Sequence, residues 1–399
     1  MTGTAVADAP GRSGSRLAVL GLYAGGFLGP FGGGVVASML PELGTAFAVS
    51  PGTASLSLTS YMIPFAGLML FSGTLGERWG ARRTVRVAYL VYVLASVVCA
   101  VAATSTVFLA GRAVQGAANA FTTPLLLAAL AAVTPRERLG RTLGLFASLQ
   151  AAGQTTAPLV GGLAAEADWR WAFAGVAVVA GLLAVLGLPD TTRPAPSAHG
   201  DQRERAPGAT ARLRTAWRPA VLRVGLVALT GWGCLGGLSF LVAMRLDDHF
   251  GLGAGERGLL LTGYGVAALL TARAVGRAVD RVGPRRCVLL GTAAGAVLLV
   301  GVGLVPWLPV VAVGWAAAGV ATQLILVGLN TLVLSAAAGN RGGAVSVVQA
   351  FRFLGGALAP TAFVPAYALH PAVAFLVPAV VVAVTAPAAL PHQEKLHQR

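Results

Sequence analysis

The feature that most constrains the fold is a series of apolar segments, each long enough for a membrane crossing, separated by short polar stretches. About 20 apolar residues in a helix cross the roughly 30 Å hydrocarbon core of a bilayer. Only 11% of the residues are charged, whereas soluble domains carry about 25%. We therefore predict twelve spans, at residues 17–40, 55–75, 84–103, 106–130, 141–163, 171–188, 219–244, 257–277, 287–304, 309–335, 343–368 and 371–390.

The segments between and before the spans predict how the chain is organised. A span must satisfy its own backbone hydrogen bonds, and the segments show no strand alternation, so we expect an all-α integral membrane protein. Residues 1–15 are polar and lack a cleavage site after a short apolar core, which argues against a cleaved signal peptide. Residues 189–218 are rich in proline, alanine and arginine and are predicted to form a cytoplasmic linker between two six-helix bundles, 1–188 and 219–399.

Arginine placement predicts the orientation, because cytoplasmic loops are enriched in positive charge. With a cytoplasmic N-terminus, 24 of the 29 Lys and Arg residues fall on the cytoplasmic side and only Arg170, Arg245 and Arg257 fall outside. We expect a multi-pass protein of the cell membrane with both termini cytoplasmic. The formal charge of +15 then reflects topology, and no nucleic-acid partner is predicted, because that would need a soluble basic domain.

Several function classes are excluded by what the sequence lacks. Its single lysine, Lys395, lies in the C-terminal tail, so a phosphate-binding loop of the form G-x-x-x-x-G-K-[ST] cannot exist and the chain is not itself a conventional ATP-driven pump. The cysteines number three and form no C-x-x-C pair, which predicts neither a disulfide framework nor a metal site. No cluster of catalytic residues lies at one depth, so we expect neither an enzyme nor a cofactor.

Two inner loops form an internal repeat. The stretch "GTLGERWGARR", 73–83, after span 2 matches "GRAVDRVGPRR", 276–286, after span 8, each residue lying 203 positions from its counterpart, as 276 lies from 73. Parallel six-helix repeats of this kind describe one transporter architecture. The matching residues are Gly73, Glu77, Arg78, Gly80, Arg82 and Arg83 with Gly276, Asp280, Arg281, Gly283, Arg285 and Arg286.

The repeated loop resembles the signature loop of the major facilitator superfamily, and two further motifs agree. "RAVQG", 112–116 in span 4, matches the R-x-x-Q-G element of that superfamily. Span 5 resembles the motif of its drug:proton antiporter branch at Gly144, Gly153, Pro158, Gly161 and Gly162, with Ala157 where glycine is usual. The resemblance implies two pseudo-symmetric six-helix bundles, alternating access, and a pathway lined by spans 1, 4, 7 and 10.

The signature loops are predicted to act as gates. A carboxylate at the inner end of a span can lie against a helix N-terminus, which carries roughly half a positive charge. The resemblance pairs Glu77, where aspartate is usual, with the start of span 11 near residues 342–344, and Asp280 with the start of span 5 near Arg141. We expect these contacts to form a latch that closes the cytoplasmic side.

Two arginines within spans are predicted to serve the transport site. Each costs about 2.5–3.5 kcal/mol at the centre of a membrane helix, and such residues usually face a cavity. We predict that Arg352 pairs with an acidic group of the substrate and that Arg112 is held by Gln and backbone groups as a gating or proton-relay element. In the competing interpretation both bond only carbonyls and amides, and a cationic drug binds elsewhere. The other predicted cavity residues are Gln115, Asn119, Gln150, Gln154, Trp232, Gln323 and Asn330.

Proton coupling is predicted from the span 5 motif, but no Asp or Glu lies in the interior of a predicted span. The nearest candidates for a proton site are Glu42, at the outer end of span 1, and Asp247 and Asp248, after span 7. We expect a monomeric secondary transporter that exports small amphipathic drugs or secondary metabolites in exchange for protons. The alternatives are a transporter of a specific, including an anionic, metabolite and, from another class, a membrane sensor or scaffold without transport.

Overall fold

The computed structural model describes residues 12–186, 218–336 and 341–390, and every predicted span within them is helical. Spans 1 to 12 correspond in order to Arg12–Gly34, Pro51–Trp79, Ala81–Val101, the pair Ser105–Asn119 and Thr123–Val133, Arg136–Ala167, Arg170–Leu186, the pair Pro219–Gly233 and Ser239–Asp248, Ala254–Val282, Pro284–Leu304, Leu308–Ala336, Arg341–Leu369, and Pro371–Ala389. The prediction of an all-α, twelve-span membrane protein is confirmed. By length and hydropathy alone, eight helices among the described residues suffice to cross a membrane.

Three spans are less regular than the sequence predicted. Span 1 was predicted to reach residue 40, but its helix ends at Gly34, and a short helix, Leu40–Ala46, follows after a turn. Consecutive glycines at 32–34 have low helix propensity, and Pro41 favours a new helix start. Span 4 breaks after Asn119, just before Pro124, and span 7 breaks after Gly233, where Gly236 and Gly237 enter a 3₁₀ turn.

The internal repeat is also a repeat of backbone conformation. Gly80, between spans 2 and 3, has φ 88°, and Gly283, between spans 8 and 9, has φ 93°. Only glycine adopts such positive φ values without strain, so both loops need glycine at this position. We call the face that carries these two turns the inner face, which the sequence predicts to be cytoplasmic, and the opposite face the outer face.

The N-half, spans 1–6, and the C-half, spans 7–12, meet along two helix pairs, span 2 with span 11 and span 5 with span 8. Thr59 Oγ1 donates to the carbonyl of Ala357 at 2.8 Å, and Phe65 meets Phe353 edge-on with ring centroids 5.0 Å apart. Thr155 fills the space beside Gly265 in the other pair. The Phe65–Phe353 contact lies near the middle of its two spans and the other contacts lie further out, so the halves are joined from the middle of the spans to the outer side.

Towards the inner face the halves separate. A Cβ built at Gly144 on span 5, or at Gly276 on span 8, has nothing within 4 Å. Spans 5 and 8 therefore diverge towards the inner face; we call the space between the halves there the cleft, and the level of the Phe65–Phe353 contact its apex. The predicted linker lies outside the described residues apart from Arg218, so the division at 189–218 stays a prediction.

Candidate substrate pathway and gates

A buried arginine joins the two halves at the outer face. Arg257, in the first turn of span 8, has a side chain 1% exposed. Its Nη2 pairs with Glu42 of the N-half, and its Nη1 pairs with Asp247 at the end of span 7. Its Nε also donates to the carbonyl of Ser38 at 3.2 Å. Opening the outer side requires breaking the bonds to Glu42 and Ser38, so Arg257 has the geometry of a clamp.

Further polar contacts surround this clamp. The backbone N–H of Gly255 donates to Glu166 of span 5 at 3.2 Å, which is a further bond between the halves. Within the C-half, Tyr367 donates to Asp248 at 3.0 Å. The outer face also carries a cavity of about 440 Å³ beside the clamp, and it is lined by Pro41, Glu42, Thr45, Ala46 and Asp247. The proton-site candidates Glu42, Asp247 and Asp248 thus all belong to one outer cluster.

Most of the span 5 motif packs against neighbouring backbones. A Cβ at Gly153 would fall on the carbonyl of Phe27 in span 1, and one at Gly161 on that of Val35, just beyond it. On the other side, a Cβ at Gly162 would fall on the carbonyl of Ala254. Small residues allow such close approach of membrane helices. The motif therefore lets span 5 contact both span 1 and span 8, whereas Gly144 lies in the open cleft.

Pro158 belongs to the same contact. Its carbonyl accepts a hydrogen bond from Ser38 Oγ at 2.6 Å. A Cβ at Gly258 on span 8 would fall on that carbonyl, so the two spans touch here without side chains between them. The motif and the Arg257 clamp meet at Ser38.

Arg112 lies wholly inside the N-half. Its side chain is 0% exposed, and Nη1 donates to the carbonyl of Gly32 at 2.9 Å and to Gln115 Oε1 at 2.8 Å. Nε reaches the carbonyl of Ser57 at 3.4 Å, and the guanidinium lies 4.4 Å from the ring centroid of Tyr61. Gly32 is in the last turn of its helix, where carbonyls lack intrahelical partners. The break in span 1 therefore supplies the acceptors that satisfy this arginine.

Gln115 and Asn119 extend the same network. Gln115 Nε2 donates to Ser96 Oγ at 2.7 Å, and Asn119 Nδ2 donates to Tyr61 Oη at 2.8 Å and to the carbonyl of Gly29 at 3.2 Å. Both side chains are buried. In this conformation Arg112, Gln115 and Asn119 tie spans 1 to 4 together and do not line the open cleft.

Arg352 lies in the C-half at the apex of the cleft, in a different environment. Its guanidinium carbon is 3.8 Å from the centroid of the Trp232 ring and 5.1 Å from that of Phe353. Its Nε is buried and has no hydrogen-bond partner. The structure brings Arg352 and Trp232 together, as a shared site requires. The other predicted cavity residues, Gln150, Gln154, Gln323 and Asn330, are partly exposed on spans 5 and 10.

The signature loops are described only in part. Asp280 and its predicted neighbour Arg141 are both exposed, as are Arg78, Arg82 and Arg281, while Arg285 is half-buried. The side chains of Gly73 and Glu77, and those at the start of span 11, lie outside the described residues. The latch stays a prediction.

The outer clamp was missed by the sequence reasoning. The sequence placed Arg257, Glu42 and Asp247 at the outer ends of three spans but gave no sign that they meet, because 215 residues separate Arg257 from Glu42. The sequence does contain one signal for such a contact. Few basic residues lie on the outer side, and acidic residues lie at the same outer ends of the spans. Among the described residues, no group of three or more His, Cys, Asp or Glu side chains is placed to hold a metal ion.

Comparison with known proteins identifies the family. The chain is 36% identical over 159 residues to puromycin resistance protein pur8 of Streptomyces alboniger, covering 39% of this chain and 31% of that protein. It is 27% identical over 187 residues to drug efflux pump JefA of Mycobacterium tuberculosis (strain ATCC 25618 / H37Rv), covering 46% of this chain and 37% of that protein. These matches span about a third of the length of both curated relatives.

Fold comparison and the family model agree with each other. The structure superposes on a D-xylose-proton symporter with a TM-score of 0.73 at 16% sequence identity, covering 94% of this chain and 97% of that chain. The sequence model of the Major Facilitator Superfamily matches residues 22–360 and 237–398. Because the first of these matches alone covers most of the chain, the protein belongs to the major facilitator superfamily.

Proposed function

We propose that this transporter exports small amphipathic molecules in exchange for protons by alternating access. The observation that carries the proposal is the cleft, which is closed on the outer side by spans 2, 5, 8 and 11 and open towards the inner face. A cleft of this form receives substrate from the inner side. Relatives named as a drug efflux pump and a puromycin resistance protein support export as the direction.

The Arg257 clamp is proposed as the outer gate and as the point at which protons act on the cycle. An ionised Glu42 attracts Arg257 across the two halves. A proton on Glu42 removes that charge and leaves Arg257 paired with Asp247 of its own half. Proton uptake from the outer side thus favours opening of the outer gate. Asp248 accepts a hydrogen bond from Tyr367 and so connects this outer gate to span 11.

The inner gate is proposed to be the latch of the two signature loops. Glu77 and Asp280 would each reach a helix N-terminus of the opposite half once the inner ends approach. The proposal takes the arginine-rich face as cytoplasmic, with both termini on that side and the monomer as the working unit. In the conformation described here, Asp280 is exposed, as an open latch requires.

Everted membrane vesicles test export and coupling together. We expect vesicles that contain the transporter to accumulate a fluorescent amphipathic dye when their lumen is acidified, and to release it when a protonophore collapses the gradient. Vesicles without the transporter are the control. Accumulation no greater than in the control would contradict export, and accumulation that survives collapse of the gradient would contradict proton coupling.

Amide variants locate the proton site. If Glu42 and Asp247 mediate coupling, then Glu42→Gln and Asp247→Asn should lose gradient-driven accumulation while retaining substrate exchange across the membrane. Glu256→Gln, which changes an exposed acid in the same turn as Arg257, is the matched control and should behave as the unmodified protein. Unchanged gradient dependence in both cluster variants would place the proton site elsewhere.

A second candidate function is favoured by one observation, the buried Nε of Arg352, which has no hydrogen-bond partner in the described part of the chain. An arginine without a carboxylate at the apex of the cleft suits a transporter of a specific anionic metabolite. The two candidates differ in the breadth of substrates, and both use the same cleft.

A further inference from the structure

A group of buried polar atoms without partners lies in the C-half. Arg352 Nε and Gln349 Oε1 are buried and have no hydrogen-bond partner among the described residues. Tyr264 Oη and Thr322 Oγ1 are also buried, and they lie close to each other without forming a hydrogen bond of normal geometry. Buried polar groups in proteins are nearly always hydrogen-bonded, so several exceptions in one half call for an explanation. Three of the four atoms can donate a hydrogen bond, and Arg352 also carries a full positive charge.

Arg352 and Tyr264 meet at the same indole ring. The guanidinium of Arg352 lies over the face of Trp232, at 3.8 Å from its centroid. A Cβ built at Gly236 would lie 2.8 Å from Tyr264 Oη and 3.2 Å from the benzene edge of Trp232, so the hydroxyl is at the edge of that ring. The Arg352 guanidinium therefore contacts the face of the Trp232 ring, and the Tyr264 hydroxyl lies near its benzene edge.

Thr322 belongs to the same region through helix packing. Gly319 of span 10 lies directly against the backbone carbonyl of Tyr264, where no Cβ would fit. Thr322 is three residues further along span 10 and shares that face of the helix. Thr322 is 5% exposed, and its hydroxyl makes no hydrogen bond of normal geometry with a described residue. Spans 7, 8, 10 and 11 each contribute one residue to this region, and we call these four residues the cluster: Trp232, Tyr264, Thr322 and Arg352.

The neighbours of Arg352 and Tyr264 in sequence show the depth at which the cluster lies. Arg352 directly precedes Phe353, whose ring contacts Phe65 across the two halves. Tyr264 directly precedes Gly265, which contacts Thr155 of the N-half. Both residues therefore lie at the level where the joined outer part gives way to the open inner part. Beside them, Gly356 packs between Trp232 and the sulfur of Met62, which supplies apolar surface from the N-half.

Charge decides what the cluster would bind. A guanidinium stays charged in proteins, and its fork of N–H donors matches a carboxylate or phosphate oxygen pair. The comparison with Arg112 is informative, because that arginine is satisfied by carbonyls and Gln115, whereas no described carboxylate is paired with Arg352. Within the described residues, no carboxylate supplies the counter-charge for Arg352.

We propose that Arg352, Tyr264, Thr322 and Trp232 form a subsite for the acidic group of an amphipathic substrate. Arg352 pairs with the substrate's carboxylate, Tyr264 and Thr322 donate hydrogen bonds to it, and Trp232 and Met62 contact the apolar body beside it. This inference rests on the proposed transport function and names the substrate class of the same cleft. Gln349, one turn before Arg352, offers its unpaired oxygen to a donor on the substrate.

Calorimetry on the purified full-length transporter in a neutral detergent tests the subsite. The probes are phenylbutyrate, its neutral amide phenylbutyramide and the cation phenylbutylamine, which share one apolar body. The same three head groups on a naphthyl body extend the test to a larger molecule. We expect the acids to bind about 10- to 100-fold more tightly than the amides, since a hydrogen bond to a charged group is worth about that ratio, and the amines to bind most weakly.

Variants assign the effect to the cluster. Arg352→Gln should abolish the preference for the acid, and Tyr264→Phe and Thr322→Val should each weaken acid binding about 2- to 10-fold without affecting the amide. The matched control is Tyr89→Phe, which removes another buried hydroxyl without a partner, located in the N-half. It should leave acid binding unchanged.

The outcomes separate the subsite from the proposed export. Equal affinity for acid and amide, or no binding of any acid on either body, would overturn the subsite even if vesicles accumulate the dye. An acid preference that survives Arg352→Gln would also overturn it. Acid binding that depends on Arg352, in a protein that fails to drive accumulation in vesicles, would instead overturn export and leave the subsite in place.

Discussion

Two arginines lie deep within the membrane region, and their surroundings differ. Arg112 of the N-half is 0% exposed, bonds to the carbonyl of Gly32 and to Gln115, and stacks on Tyr61. Arg352 of the C-half stacks on Trp232 but leaves its Nε without a partner. The same costly residue type therefore has protein partners at both ends of its guanidinium in one half and a buried Nε without a described partner in the other. A buried charge in a membrane protein does not by itself mark a binding site, and the contacts around it have to be compared.

The difference has a cause in the helices that surround each arginine. Span 1 ends at Gly34, so the carbonyls of its last turn are free to accept from Arg112. The C-terminal end of a helix also carries partial negative charge, which favours a cation. Arg352 lies near the middle of the unbroken helix Arg341–Leu369 and stacks on Trp232, which is in the last turn of Pro219–Gly233. No described carbonyl accepts a hydrogen bond from its Nε.

The largest expected effect is the loss of protein stability when Arg112, but not Arg352, is replaced. Arg112→Gln removes a charged donor from several buried carbonyls, each hydrogen bond to a charged group contributing about 1.5–3 kcal/mol. We expect this variant to be lost from the membrane fraction, whereas Arg352→Gln should accumulate normally. Immunoblots of membranes, followed by thermal unfolding in detergent, measure both. Equal yield and equal melting temperature for the two variants would contradict the assignment of Arg112 as structural.

The next effect concerns Arg257, a third buried arginine, which is satisfied by carboxylates of both halves. Arg257→Gln should shift the population towards an open outer side by about tenfold or more, since it removes a charge-assisted bond between the halves. A cysteine placed at the buried Ser38 reports this opening through its reaction with a membrane-impermeant thiol reagent. The three native cysteines are buried.

The control for this experiment is Glu256→Gln, which changes an exposed charge beside Arg257. Labelling at position 38 should rise in the Arg257 variant and stay low in the control. Labelling that stays low in both variants would show that the span 5 and span 8 backbones alone hold the outer side closed.

A smaller effect compares two tyrosines of the two halves. Tyr61 Oη accepts from Asn119 at 2.8 Å and donates to Gly29 at 3.1 Å, whereas Tyr264 Oη makes no hydrogen bond of normal geometry with a described residue. Tyr61→Phe should therefore destabilise the protein by about 1–2 kcal/mol, and Tyr264→Phe should leave the unliganded protein as stable as before or slightly more so. Differential scanning fluorimetry without ligand measures both. A larger loss for Tyr264→Phe would mean that its hydroxyl has a structural partner.

The smallest effect is expected at the inner latch. Asp280→Asn removes a charge predicted to lie at a helix N-terminus in the inward-closed state, where such a charge contributes about 0.3–2 kcal/mol. Transport in proteoliposomes should slow while insertion stays intact, and Glu77→Gln should act in the same way. Normal rates in both variants would show that the signature loops contribute no latch.

The sequence predicted the spans well because their signal is local. Twelve apolar segments, and a loop repeated after 203 residues, can be read without knowing what packs where. The breaks in spans 1, 4 and 7 could have been anticipated from clustered glycines and from Pro41 and Pro124, but hydropathy alone continues through them.

The site was harder to predict because it depends on partners distant in sequence. Arg112 and Arg352 look alike in sequence, since each is a lone arginine in an apolar helix. Only the fold shows that the carbonyl of Gly32 accepts from Arg112 and that the rings of Trp232 and Phe353 contact Arg352. The Arg257 clamp depends in the same way on Glu42 and Ser38, which belong to the other half.

Alternating access is the central claim, and paired distance measurements test it most directly. Spin labels at Thr45 and His249 report the outer ends of the halves, and labels at Leu145 and Arg277 report the inner ends; all four residues are exposed. In the unmodified protein the outer distance should be short and the inner distance long. Arg257→Gln should lengthen the first and shorten the second in the same fraction of molecules. An outer distance that lengthens while the inner distance stays long, or two distances that never change, would contradict alternating access.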